Sequence, residues 1–385
     1  MGDFAVVLGP PVAVECWLSG SGAPNAWQAE RIGLAVWPDS AAAAAGPRAA
    51  VWAPDGRAVG AFAGVLFSDT EVQERLALRG LAVQVRDHAQ LAVLDMALHG
   101  PQAVAAWRWQ GSLACLNPGQ RQALLLRDPL GVGWVGWSQH EELQLWSNRI
   151  DLSAHWSAVP PGVVLQLARG TVTAHPLRLL GAAQPFLRDR SAVMAGVQEV
   201  RDQQQRLALL GDGLRQRLES VVRACVRGTG GLAALPRLPE ATDRWAQECS
   251  GLHAADQDLP AGAAVWSALG SAELLGAPPE VRERAATGSA TNAPTTSAPT
   301  TSASASASPW AAEIFEPIER CDPLDRAERL WRARELPALL GPDRHWAVQH
   351  GRVLVAPHLD PAVLAWLGAF ERADRSAWAA LGRLP

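Results

Sequence analysis

The chain has 385 residues with a formal net charge of −4, and is 48% hydrophobic and 19% charged, an ordinary globular composition with room for two cores. Its pI near 6.2 supplies no basic field for nucleic acid and no polybasic patch for a membrane surface, so neither partner is expected. All 34 cationic side chains are arginine, which excludes any mechanism that needs a lysine ammonium from this chain, as a phosphate clamp or a Schiff base.

The cysteines (Cys16, Cys115, Cys225, Cys249 and Cys321) are scattered and odd in number, which argues for a reducing compartment rather than a disulfide framework. The opening "MGDFAVVLGPP" lacks a positive n-region and a long enough apolar run for a signal peptide. Gly2 lacks the downstream hydroxyl residue of a myristoylation motif, since Val6 stands there. No stretch approaches the roughly 20 apolar residues of a membrane span. A cytoplasmic protein is expected.

In chain order, residues 1–180 read as β-rich. The runs "FAVVL" (4–8), "VAVECWL" (12–18), "IGLAVW" (32–37), "AAVWA" (49–53) and "VGAFAGVLF" (59–67) are short apolar strands parted by Gly, Pro, Asn and Asp. Helices are expected over 69–80, closed by Gly80, and over 87–100, with Asp87 as N-cap and Gly100 as terminator. Further hairpin strands follow, including "QALLLRD" and "VGWVGW" on either side of Arg127-Asp128-Pro129-Leu130-Gly131. In residues 191–227 the period changes: Leu207, Leu210, Leu214, Leu218, Val221 and Cys225 recur at three- and four-residue steps of an amphipathic helix. From 228 to 285 the chain is Ala/Gly/Pro-rich with no convincing strand, and "GTGG" (228–231) reads as a helix-ending linker. Residues 286–309, "ATGSATNAPTTSAPTTSASASASP", lack the apolar surface to order themselves and read as a disordered linker. A helical tail over 310–385 contains the apolar run "RVLVAPHLD" (352–360).

Several of these segments carry a resemblance in a fixed order. "MGDFAVVL" is similar to an opening MCGFAGVL, and "AVGAFAGVLFSDTEVQERL" stands where a strand, NGEIYN and a helix would. "RDPLGVGWVGW" is similar to RDRLGxKPLYY, and "VPPGVVLQLARGTV" to LPPGHxLxLxxG. "AEIFEPI" (312–318) looks like a decayed DELFGGY, and "LPALLGPDRHWAVQHGRVLVAPHLDP" (336–361) resembles LPDLLLRxDRMSMAHGLEVRVPFLDH. Together they resemble the asparagine synthetase family, which includes β-lactam synthetases and lasso-peptide cyclases; residues 228–310 are not covered.

The resemblance implies an N-terminal Ntn-type αββα sandwich of the glutamine amidotransferase kind over 1–180. A linker helix and synthetase remnant (181–285), the linker 286–309 and remnant helices (310–385) would form a reduced, mainly helical C-terminal domain. In mixed terms the expected class is α+β followed by α/β.

Residue by residue, the resemblance also implies what is gone. The family's nucleophile is an N-terminal Cys whose α-amine serves as base; Gly2 stands in its place. The Asn, Gly and Glu of NGE fall on Ala63, Gly64 and Val65, so an oxyanion donor and a substrate-ammonium acceptor are both replaced. Arg31, Gly64 and Asp87 remain as weak remnants of a glutamine pocket, with a helix cap (Asp87) and a solvated strand end (Arg31) as plain structural readings. Cys16, inside an apolar run, reads as a buried small hydrophobe and not as a substitute nucleophile.

The family would use ATP and Mg, held by an SGGxDS loop and an acid. "GTGGLAALPRLPEATDRW" offers no such loop, Ala312 replaces the acid, and Val353 and Val355 replace the Glu and Arg of the catalytic loop. No ATP, Mg or other cofactor site is expected to be retained. Drift would damage core and site alike, whereas here apolar and turn positions are kept and chemical ones replaced.

Three further features read as structural. His345, His350 and His358 share no helix face, "HEE" (140–142) suits a hairpin tip, and the 17 tryptophans are mostly core aromatics. Several tryptophans in one hairpin, 134–146, also suit a partner surface. The expected function is that of a catalytically inactive asparagine-synthetase-like protein, a scaffold or partner subunit for an intact relative, a precursor peptide or itself. The alternatives are an ATP-dependent amide ligase without glutaminase activity, of the β-lactam synthetase and lasso cyclase type, and a glutamine-hydrolysing asparagine synthase.

Overall fold

A computed structural model describes residues 2–38, 51–52, 58–85, 87–149, 152–153, 155–176, 202–229, 231–234, 263–267, 340–350 and 352–367, with residues 336, 370, 374–375 and 377. The first 176 residues build two six-stranded antiparallel sheets. One runs in the order β10 (Ser157–Ala158), β8 (Gly136–His140), β9 (Leu143–Ser147), β1 (Gly2–Leu8), β3 (Ile32–Pro38), β2 (Asn25–Ala29). The other runs β12 (Thr171–Pro176), β11 (Val163–Ala168), β7 (Gln122–Arg127), β6 (Trp109–Asn117), β5 (Val59–Leu66), β4 (Val51–Trp52).

Strand alternation explains the layering. On β1, Phe4, Val6 and Leu8 face the second sheet, meeting Val59, Ala61, Leu116, Leu125 and Leu165 in a dry core. The intervening Ala5 and Val7 face outward, where Val14 and Leu18 of α1 (Pro11–Gly20) cover them. On the far side, Phe62 and Leu66 of β5 pack beneath α2 (Asp69–Ala77) and α3 (His88–His99). The result is four layers, helix–sheet–sheet–helix, in a mixed α/β chain with antiparallel sheets. Buried Asp95 ties the outer helices together by accepting from Arg75 (2.5 Å), His99 (2.9 Å) and Trp107 Nε1 (2.7 Å).

Two expectations need correction here. "VAVECWL" is not a strand: Pro11 opens a helix at its first turn, and Val14 and Leu18 take the i, i+4 spacing of one covered face. Cys16 therefore points outward and is exposed instead of buried. In the 134–146 hairpin Trp146 is 1% exposed, and its cross-strand partner Trp137, half-buried, packs on the same core. Trp134 stacks edge-on against Trp156 at 5.6 Å.

The second unit begins with α4 (Gln203–Thr229), whose Leu210, Leu214, Leu218, Val221 and Cys225 form one buried stripe. It leads into β13 (Leu232–Ala234), which pairs in parallel with β14 (Ala264–Trp266), itself parallel to β15 (Val353–Val355). Helices α5 (Gly341–Gln349) and α6 (Pro361–Leu367) pack with them. No strand is expected between 228 and 285; among the described residues there are two, each three residues long. "GTGG" accordingly begins inside the helix and leads to a strand. The described part of this unit is thus a small three-stranded parallel sheet packed with longer helices. The expected linker 286–309 and "AEIFEPI" lie outside the described residues. No helix among the described residues is long and apolar enough to cross a membrane.

Candidate functional site

The register of β1 with β3 fixes where the expected pocket residues stand. Gly2 lies opposite Pro38 and Leu8 opposite Ile32, so Gly2 and Arg31 sit at opposite ends of this ladder, about 20 Å apart at ~3.3 Å per residue. Arg31 donates through Nε to Gly9 O at 3.3 Å and lies against Gly170 of the β11–β12 turn. A salt bridge of 2.6 Å between Arg121 and Glu30 marks the same end on both sheets. The structure therefore does not bring Arg31 to Gly2, and its strand-end role is the one it fills.

Gly64 stands at the other end, with Gly2. It pairs with Gly111 across β5 and β6, and a Cβ on either would overlap the opposite backbone, Gln110 O for Gly64 and Ala63 O for Gly111. Gly111 also needs its φ of +135°. Close strand packing thus accounts for Gly64 without a ligand. Val65 beside it is fully buried and belongs to the same core as Leu214, Leu218, Val221 and Trp266 of the second unit. A hydrophobic side chain at the junction of the two units fills the position where the resemblance calls for a carboxylate. Asp87 accepts from the Gln90 amide at 3.1 Å, capping α3.

The Arg-Asp-Pro-Leu-Gly turn lies at this same junction. Asp128 is fully buried and accepts from four amides, those of Gly111 (3.2 Å), Leu130 (3.1 Å), Val132 (3.1 Å) and Gly133 (2.6 Å). Burial raises its pKa, with the charge of Arg127 and these amides opposing. Arg127 donates to Gly133 O (2.9 Å), Val159 O (2.6 Å) and Gly131 O (3.1 Å). From the second unit, Arg344 adds bonds to Val132 O (3.0 Å) and Gly131 O (2.7 Å). Burial, and for Arg127 the charge of Arg344 as well, pushes Arg127 down to about 9 and Arg344 to about 10. A nest of amides that could hold a ligand anion is filled by the chain's own carboxylate.

Three more contacts complete the seam. Gln110 exchanges two hydrogen bonds with the backbone of Ala356 (2.7 and 2.8 Å). Arg108 reaches Asp360 at 3.4 Å, while Asp360 caps α6 by accepting from Ala362 (2.8 Å). Arg227 grips Asp69 with two bonds of 2.8 Å, and His88 Nε2 lies 3.3 Å from the same carboxylate. Burial alone would raise the Asp69 carboxyl; the hydrogen bonds from His88 and Arg227, and the charge of Arg227, outweigh it and hold it at about 2. Sequence reasoning kept Asp360 only as a turn former and missed the other five side chains. Their partners lie as many as 252 positions away, and the one local signal was Asp69 in the first turn of a helix.

Chemically, Gly2 offers no side-chain nucleophile, and Gly64, Val65 and Asp87 offer packing, packing and a cap. Among the described residues no group of three His, Cys, Asp or Glu side chains could hold a metal ion. His345, His350 and His358 accordingly form no such site; His350 stacks on Trp346 at 4.1 Å. Val353 and Val355 carry apolar side chains where the resemblance calls for Glu and Arg.

No family model matches the sequence, and no curated protein matches it. Among solved structures, glutamine phosphoribosylpyrophosphate amidotransferase from B. subtilis, complexed with ADP and GMP, is 11% identical with a TM-score of 0.33, over 66% of this chain and 64% of that one. An allosteric regulatory enzyme of purine biosynthesis is 10% identical with a TM-score of 0.34, over the same shares of the two chains. The chain thus spans just under two thirds of the length of either.

Proposed function

We propose that this protein is a catalytically inactive relative of the asparagine synthetases that acts as a scaffold or partner subunit in an amide-forming or peptide-modifying pathway. The observation that carries the reading is Val65: the residue aligned with the substrate-ammonium acceptor is spent on the core shared by both units. Gly2, with no side chain, agrees with it. The four-layer arrangement and the ordered sequence resemblance support the ancestry, and the hydrogen bonds that join the two units support a structural role for what remains. Feeding glutamine and measuring glutamate tests the reading. Release no faster than in buffer is expected, and release proportional to protein would overturn it.

A second reading, an ATP-dependent amide ligase, is favoured by one observation. The parallel strands β13–β15 end beside Ser267, whose hydroxyl donates to Asp343 at 2.6 Å, and open α/β sheets receive ligands outside such carboxyl ends. Pyrophosphate release from ATP with candidate peptides would establish it; its absence leaves the first reading.

A further inference from the structure

The end of α4 is fastened to the outer helical layer by one buried histidine. The Leu66 amide donates to His88 Nδ1 at 3.1 Å, which puts the ring's own proton on Nε2, facing Asp69. Asp69 is already matched by Arg227, which holds both its oxygens. On the remaining side the backbone of Gly228 lies so close that a Cβ there would overlap the imidazole. His88 is 3% exposed.

We propose that His88 is an acid-sensitive latch, whose protonation releases the last turn of α4 from the α2–α3 layer. A second proton, taken from solvent, has to go on Nδ1, where the Leu66 N–H already points. That hydrogen bond is then replaced by two facing donors, and a buried amide loses its acceptor. The new positive charge also lies beside Arg227, with the Asp69 charge already neutralised. The groups against the ring are Asp69 from α2, the Gly228 backbone from α4 and the Leu66 amide from β5; Arg227 of α4, with Glu71 and the Cys225 thiol around it, holds the same Asp69 carboxylate, and Asp87, adjacent in sequence, caps α3. Only the carboxylates favour the second proton; Asp69 is doubly bonded to Arg227, and Asp87 is bonded to an amide. The ring must move to relax, and the element packed on its open side is α4, which leads within a few residues into β13. The latch therefore makes the junction of the two units sensitive to acidification.

Amide hydrogen exchange on the full chain at about pH 7.5 and about pH 5.5 tests this, corrected for intrinsic rates, with the β6–β7 ladder as internal reference. In the wild type, opening of residues 224–229 should rise about tenfold at the lower pH while the ladder stays unchanged. In His88→Gln, whose amide can accept from Leu66 and donate to Asp69 without titrating, the rise should vanish. An unchanged α4 end in the wild type, or an equal rise in the variant, would overturn the proposal. Should the variant fail to fold, the His88 ring resonances of the wild type are followed against pH. Their midpoint should coincide with the change in the α4 amides, and a mismatch would refute the latch.

Discussion

Gln110 and Ala356 meet like paired strand residues although 246 positions separate them: the side-chain amide gives 2.7 Å to the Ala356 carbonyl and takes 2.8 Å from its N–H. Both are buried, so the second unit's strand β15 ends in hydrogen bonds supplied by the first. Gln110→Leu leaves both Ala356 groups unpaired out of water, and a loss of about 2–4 kcal/mol is expected. Urea unfolding checks it; a loss below about 1 kcal/mol would mean that water replaces the side chain.

The acceptor position gives a sharper contrast. Val65→Glu restores the residue type the resemblance calls for, but inside an apolar core shared with α4 and β14. A buried, unpaired carboxyl should cost about 3 kcal/mol or more and bring no affinity for glutamine. Thermal unfolding and glutamine titration read the two effects, and binding with retained stability would show that a pocket survives.

Asp87 separates a cap from a ligand-binding group. Asp87→Ala should destabilise by about 1 kcal/mol and Asp87→Ser by only a few tenths, since a hydroxyl can still accept from Gln90. Equal losses in the two variants would argue that the charge, and not the cap, is what matters.

Asp69 sets an acid limit. Its folded pKa of about 2 lies below the ordinary 3.8, so the unfolded chain binds more protons between these values, and stability falls as pH falls. The contribution is complete above about pH 5 and is lost as pH drops through 4 towards 2, about 1–2 kcal/mol after allowing for screening of half-exposed Arg227. Asp69→Asn should flatten that part of the stability curve. A curve of unchanged slope there would assign acid unfolding to other carboxylates.

Much of the first unit was legible because short apolar runs parted by Gly, Pro, Asn and Asp mark strands buried on both faces, as in β1 and β5. Glycines and caps marked α2 and α3 in the same way. The sequence misled at α1, where an apolar decapeptide of strand-like length hid an i, i+4 face behind two prolines. It was silent at β13 and β14, because three-residue buried strands in Ala-rich sequence leave no period to read. The seam was invisible for another reason. Arg108, Gln110, Asp360 and Arg344 look like ordinary polar residues until the fold brings their partners from the far end of the chain. Arg31, assigned to a glutamine pocket through the resemblance, stands at the opposite end of the β1–β3 ladder from Gly2.

The most direct trial of the inactive-relative account is calorimetric titration of the full chain with ATP and Mg. The account expects no saturable heat at micromolar nucleotide. A stoichiometric isotherm with micromolar or tighter affinity would contradict it.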